Sequence, residues 1–204
     1  MSSIEVDPDE VRERLERLSL DKSRFDFKSD RFPRFDGGTE FKPAAVLVPF
    51  TETDEGMEIV LTQRSAELRK HAGQVSFPGG KRDAEDDSLI DTALRESHEE
   101  IALVPSDVHV YGALLSMPTV TGYHVTVYAG EFDWPYELEP NPAEIDTIFK
   151  APLAELANPE IHRIQEHEYE GDTFPVHYFD YGDQLVWGAT GFMLDILLQY
   201  LKLR

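Results

Sequence analysis

The sequence predicts a sandwich of the α/β or α+β class. Three observations carry that reading. Several short runs are rich in apolar and β-branched residues and alternate or run on as strands do. Few helical segments are interspersed among them. One of these, residues 87–103, is two-faced, and another, Gly188–Leu203, is apolar almost throughout, as a well-packed helix is. The chain's 204 residues suit one domain, or one domain with an arm, and 41% hydrophobic residues are enough for a sizeable core.

In chain order, PDEVRERLERLSL (8–20) reads as a short helix. Pro8 suits a first turn, Asp9 and Glu10 favour the positive helix end, and Val11, Leu15 and Leu18 form an i, i+4, i+7 stripe. Residues 21–43 are polar and read as an arm or linker. AAVLVPF (44–50) and MEIVLTQ (57–63) flank a TETDEG turn and predict a hairpin. QVSFPGG (74–80) reads as a short strand running into a Gly-Gly loop. VHVYGALLS (108–116) and HVTVYAGEF (124–132) alternate as half-buried strands do. PYELEPNPAE (135–144) carries three prolines and reads as a loop. TIFKAPL (147–153) is a further strand, followed by a helical turn at Leu153–Leu156 and a hairpin around Tyr169–Tyr181. No internal repeat is present.

Charge excludes some functions. Forty Asp+Glu against 19 Lys+Arg give a net charge of -21, which repels nucleic acid and anionic membrane. The absence of cysteine removes disulfides, thiol nucleophiles, Cys-ligated zinc and iron–sulfur clusters. The first residues, MSSIEVDPDE, lack an apolar signal core, and GFMLDILLQYL is too short to span a bilayer. The expectation is a soluble cytoplasmic protein.

Local charge is more telling. Gln63–Arg82 carries Arg64, Glu67, Arg69, Lys70, Lys81 and Arg82, net +4. Asp83–Glu100 carries Asp83, Glu85, Asp86, Asp87, Asp91, Arg95, Glu96, Glu99 and Glu100, net -7. A basic island abutting an acidic one suits a phosphate ester bridged to protein by divalent metal, or an internal network of ion pairs. On a helical wheel, Ile90, Ala93, Leu94, Ile101 and Val104 share an arc roughly 100° wide, together with Ser97. Glu96, Glu99 and Glu100 share another, at the i, i+3, i+4 spacing that makes side chains neighbours. Without a cation they repel one another, and hard cations such as Mg²⁺ and Mn²⁺ take oxygen ligands of this kind. Arg95, four residues before Glu99, is placed to hold that carboxylate.

Gly80 through Leu103 resembles a Nudix box, the glycine–loop–helix pattern of pyrophosphate hydrolases. The REUxEExGU half of that pattern stands here as Arg95-Glu96-Ser97-His98-Glu99-Glu100-Ile101-Ala102-Leu103. Just upstream, VLTQRSAELRKHAGQVSFPGG (60–80) is similar to the LLTxRSx3Rx3GxVxFPGG signature of the coenzyme A pyrophosphatase branch. Every fixed position from Leu61 to Gly80 matches, and Val60 replaces the first leucine. PNPAEI (140–145) and WGATGFML (187–194) also resemble that branch. The similarity spans about residues 41–203, so the chain divides into an N-terminal helix and arm (1–40) and a hydrolase domain (41–204).

The resemblance implies an α/β/α sandwich with a central mixed sheet. It also implies hydrolysis of the diphosphate of coenzyme A, or of its acyl or oxidised derivatives, to 4′-phosphopantetheine and adenosine 3′,5′-bisphosphate. Mg²⁺ or Mn²⁺ is the implied cofactor, with Glu99 and Glu100 the principal ligands and Glu96 a ligand or base. Glu144 is the candidate general base outside the box. Arg64 and Arg69 belong to the branch signature and are assigned to substrate phosphates, with Lys81 and Arg82 as further candidates. Gly79 and Gly80 let backbone approach metal or phosphate closely. The partner is a small-molecule nucleotide diphosphate, and homodimers are common in the family. The alternatives are another nucleoside diphosphate derivative (ADP-ribose, a dinucleotide, an oxidised nucleotide) or a silent nucleotide-binding domain.

Two departures stand out. Asp86 lies six residues after Gly80, whereas Asp87 lies eight before Arg95, so the loop has one extra residue and its acidic position has two candidates. Ala102 replaces a glycine, which is harmless in a helix and costs about 1 kcal/mol at φ > 0. The seven histidines show no metal-ligand spacing along the chain.

Only seven lysines accompany the 40 carboxylates, a composition that resembles proteins of high-salt cytoplasm as well as ordinary acidic ones. Thermal melts in low salt and in molar KCl separate the two: marked stabilisation by KCl is expected of a chain adapted to salt, and its absence removes that reading.

Overall fold

Residues 44–50 are apolar without alternation because the strand they form is buried on both faces. The computed structural model describes residues 4–27, 40–169 and 171–204; of the expected arm, residues 28–39 lie outside the described residues. The elements in order are α1 (Pro8–Leu15), β1 (Phe25–Asp26), β2 (Lys42–Thr53), β3 (Gly56–Arg64), β4 (Val75–Ser76), β5 (Gly79–Lys81), α2 (Leu89–Ile101), β6 (His109–Pro118) and β7 (Tyr123–Glu131). There follow β8 (Ile145–Pro152), α3 (Leu153–Leu156), β9 (His162–Tyr169), β10 (Asp172–Tyr181), β11 (Gln184–Trp187) and α4 (Gly188–Tyr200).

The main sheet has the order β1-β6-β7-β2-β3-β4, with β5 paired to β2 and β8 to β3. It is mixed: β1 runs parallel to β6 and β2 parallel to β7, while the β2–β3 hairpin and the β6–β7 pair are antiparallel. A smaller sheet has the order β11-β10-β9. Alternate residues of β2 divide between two cores. Ala45 and Leu47 join Val60, Tyr128 and the α2 residues Ala93 and Ile101 on one face. Val48 and Phe50 join Ile59, Leu61, Val127 and α4's Leu194, Leu197 and Leu198 on the other, with Val11 and Leu15 of α1. Continuous apolar runs are the sequence mark of such a doubly covered sheet. The sandwich is therefore α/β/α. No helix among the described residues is long and apolar enough to cross a membrane.

Local chemistry fixes the helix ends. In α1, Asp7 caps the Asp9 N–H at 2.9 Å, and Pro8 needs no N–H there. The helix stops at Leu15 rather than Leu20, because Ser19 turns back to bridge Ala113 at the sheet edge. In α2, Ser88 and Asp91 form a reciprocal capping box. Three further expectations need correction. Gly79–Lys81 is not a loop but a strand, in register with Ala44–Val46. An extra strand, β11, precedes α4. Val104 is exposed rather than on the apolar arc of α2, because that helix ends at Ile101.

Ala102 caps α2 in the left-handed region, at φ 57°. Its N–H donates to the His98 carbonyl at 3.0 Å, so the position is held by the helix end itself. A side chain is strained there, and glycine is not. Ala102→Gly is expected to stabilise the protein by about 1 kcal/mol, read as a rise of about 2–4 °C in Tm. An unchanged or lowered Tm would contradict this account of the cap.

Candidate active site

The site is built where α2 lies against β5 and β2. Gly80 is the point of closest approach: a Cβ there would stand 2.5 Å from the carboxyl carbon of Glu96. At Gly79, φ is 151° and a Cβ would meet the Ala45 carbonyl oxygen at 2.4 Å. The paired glycines thus do two things. Gly79 keeps β5 on β2, and Gly80 leaves room for a carboxylate above the strand.

Glu100 is buried, at 2% exposure, although it belongs to the acidic arc. One oxygen, Oε2, accepts the Gly79 N–H at 3.1 Å, and Oε1 accepts from Arg64 Nη1 at 3.3 Å. Burial outweighs both contacts and pushes its pKa up to about 7. Glu96 sits over Gly80, and burial raises its pKa as well. Glu99 is more exposed, on the outer rim of the same helix face.

Arg95 links these groups to the loop. Its Nη1 donates to Glu96 and to Glu99, both at 3.0 Å. Its Nε and Nη2 grip Asp86 bidentately at 2.9 and 3.0 Å, and Nη2 also reaches the Lys81 carbonyl at 3.2 Å. Asp86 accepts in addition from the Asp83 N–H at 2.9 Å and the Thr92 hydroxyl at 2.8 Å. Hydrogen bonding to Arg95 holds the Asp86 carboxyl well below the usual carboxylate range. Of the two candidates, Asp86 therefore anchors the loop, and Asp87 is exposed.

The loop after β7 closes the site. Asn141 N–H donates to the Glu100 carbonyl at 2.9 Å, and Glu139 N–H to the Ile101 carbonyl at 3.2 Å. These satisfy two otherwise unpaired groups at the end of α2. The same loop carries Glu144, whose carbonyl accepts the Ser65 N–H at 2.8 Å and whose carboxylate lies 3.9 Å from Arg64 Nη2. The register shift of β3 against β8 at Gln63/Arg64 falls at this point.

Of the residues singled out in the sequence, the fold brings together Glu96, Glu99, Glu100, Arg95, Arg64, Glu144, Gly79 and Gly80. Others stand apart. Arg82 is spent on the Asp86 and Asp87 carbonyls, at 2.8 and 3.0 Å, and closes the loop. Lys81 pairs with Asp83 at 3.2 Å on the surface, and Arg69 is exposed on the β3–β4 connection. Sequence reasoning missed Thr92 and the backbone of Asn141. Thr92 carried a faint signal, as a buried hydroxyl needs a partner and Asp86 is six residues away.

Five carboxylates (Asp86, Glu96, Glu99, Glu100, Glu144) face two guanidinium groups (Arg64, Arg95). An all-oxygen donor set with surplus negative charge suits a hard divalent cation, and the gap above Gly80 keeps Glu96 turned toward it.

Comparison with known proteins agrees with this geometry. The family profile of the NUDIX domain matches residues 41–170. A protein called uncharacterized Nudix hydrolase NudL, from Yersinia pestis (strain Pestoides F), is 41% identical over 161 residues, which cover 78% of this chain and 80% of the relative. Its namesake from Yersinia pseudotuberculosis serotype O:1b (strain IP 31758) is similar to the same extent. The crystal structure of a MutT protein from Methanosarcina mazei Go1 shares the fold, with a TM-score of 0.52 at 15% identity over 81% of this chain and 96% of that one. On the profile match and the 41% identity together, this chain belongs to the Nudix family and is one of its hydrolases.

Proposed function

We propose that this Nudix hydrolase is a metal-dependent pyrophosphatase of coenzyme A or its acyl or oxidised derivatives, releasing 4′-phosphopantetheine and adenosine 3′,5′-bisphosphate. One observation supports it most. The 60–80 segment, which resembles the coenzyme A pyrophosphatase signature, supplies two of Glu100's own partners, the Arg64 guanidinium and the Gly79 N–H. Two residues of that segment thus touch the glutamate read here as a metal ligand.

Nudix hydrolases generally depend on divalent metal. In this reading Glu96, Glu99 and Glu100 hold Mg²⁺ or Mn²⁺, which supplies charge neutralisation on the diphosphate and a more acidic bound water. Arg95, fixed by Asp86, sets the positions of the Glu96 and Glu99 carboxylates. Arg64 stands between Glu100 and Glu144, where it can pass from a carboxylate to a substrate phosphate oxygen. Glu144 takes the proton from the attacking water through its carboxylate. Arg69, exposed on its loop, is assigned with Gly79 and Gly80 to the substrate side, and Lys81 to its rim.

The purified chain with Mg²⁺ or Mn²⁺ is expected to cleave coenzyme A faster than ADP-ribose, dinucleotides or oxidised nucleotides, with both products identified by mass. Preference for another diphosphate would move the substrate assignment. Glu100→Gln is expected to lower turnover at least about 10²-fold, because it removes a ligand needed in the transition state. Unchanged turnover would remove Glu100 from the metal site.

The raised pKa of Glu100 adds a pH test. A carboxyl whose folded pKa, about 7, exceeds its ordinary 4.5 stabilises the fold fully below 4.5, and that contribution fades as pH rises through 7. Metal requires the ionised form. At pH 6 only about a tenth of this group is ionised, so metal affinity is expected to be about tenfold weaker than at pH 8. The rise in Tm on adding Mg²⁺ should therefore be larger at pH 8. Equal rises at both values would show that Glu100 is not the group the metal displaces a proton from.

A further inference from the structure

A second cluster of ligand-type side chains lies between the small sheet and α4, away from the helix that carries the glutamates. His162 begins β9, His177 lies on β10 and Asp195 on α4. All three side chains are nearly buried, at 4%, 10% and 6% exposure. His162 Nε2 stands 3.2 Å from His177 Nδ1, Asp195 Oδ1 is 3.9 Å from the former, and Oδ2 is 3.6 Å from the latter. A tetrahedral ion with bonds of about 2.0–2.1 Å holds its ligand atoms about 3.3–3.4 Å apart. The imidazole pair already stands near that spacing, and a single Asp195 oxygen must close on both nitrogens, from within 4.8 Å, to complete it.

The packing that makes this cluster is specific. Gly191, one turn before Asp195, lies so close to β10 that a Cβ would meet the His177 carbonyl oxygen at 2.5 Å. A glycine here lets α4 approach the strand and brings Asp195 to the imidazoles. The aromatic rings of Phe179 and Phe192 flank His162 and His177. Asp195 is further held by Gln199 Nε2 at 2.6 Å. Burial keeps both imidazoles neutral, His162 with a pKa pushed down to about 4, so their lone pairs are free of bulk protonation.

We propose that His162, His177 and Asp195 form a second cation site, selective for a late first-row divalent ion such as zinc, which pins the small sheet to α4. Two imidazoles and one carboxylate favour that class over Mg²⁺ or Mn²⁺, the class the glutamate site takes. Arg204 is the counterweight. Its Nη2 donates to His162 Nδ1, and its Nη1 lies 3.5 Å from Asp195 Oδ1. With Nδ1 accepting, the single proton of His162 sits on Nε2 and points at His177 Nδ1. Binding places the metal on Nε2 and moves that proton to Nδ1, from which the guanidinium must withdraw. Arg204 thus occupies the site in the absence of metal and competes with it.

Cobalt is a suitable probe, since tetrahedral or five-coordinate nitrogen–oxygen sites absorb visible light far more strongly than the octahedral oxygen site expected of the glutamates. The full chain, stripped with EDTA and supplied with excess Mg²⁺, is titrated with Co²⁺. A strong absorption saturating at one equivalent is expected, absent in His177→Gln. Arg204→Ala is expected to tighten binding at least about tenfold by removing an adjacent positive charge. Should His177→Gln fail to fold, ¹H–¹⁵N imidazole correlations of the unmutated chain decide. Zinc is then expected to shift His162 and His177 and to leave His71, His98, His109, His124 and His167 in place. No strong absorption in either the unmutated chain or Arg204→Ala overturns the proposal, as does absorption that survives His177→Gln or zinc shifts confined to other histidines.

Discussion

The approach of one helix to one glycine strand governs the site. α2 presents a row of glutamates to β5, and only a residue without a side chain leaves them space. Bringing carboxylates into that gap is unfavourable, because each loses water and each repels the next. The fold offsets part of the cost at Glu96 and Glu100 by hydrogen bonds, while Glu99 keeps much of its exposure. Arg95, Arg64 and the Gly79 N–H between them reach Glu96, Glu99 and Glu100. What remains is a surplus of negative charge aimed at a narrow space, an arrangement that stores affinity for a cation.

The two arginines have different duties. Arg95 is locked, with both edges of its guanidinium engaged by Asp86 and by the glutamates. A group held on so many sides positions its neighbours and does not leave. Arg64 is held more loosely, by a 3.3 Å hydrogen bond and a 3.9 Å ion pair. It has room to exchange partners when an anion arrives. Arg95 owes its grip to Asp86, which the loop between Gly80 and α2 brings under the helix.

Much of this was legible in the sequence because it is local. The i, i+3, i+4 glutamates and the two apolar runs of the hairpin all depend on spacing within one element. The burial of Glu100 was not, since its arc looks solvent-facing until β5 is laid across it. Nor was the strand at Gly79–Lys81, because glycines read as a turn and the partner strand lies over thirty residues upstream. The His162–His177–Asp195 cluster is wholly a product of tertiary packing, with ligands drawn from two strands and a helix and no short spacing to betray them. Ala102 shows the reverse case, in which the residue type was known but only the backbone angle decided its meaning.

The tie between Asn141 and the Glu100 carbonyl carries a mechanical consequence. A surface segment of three prolines would ordinarily tolerate insertion or trimming. Here its peptide groups finish the last turn of α2, and its far end delivers Glu144 to Arg64. Lengthening or shortening that segment would tug on the helix terminus and on the opposing acid at once, so evolution can retune the mouth of this enzyme only by moving both walls together.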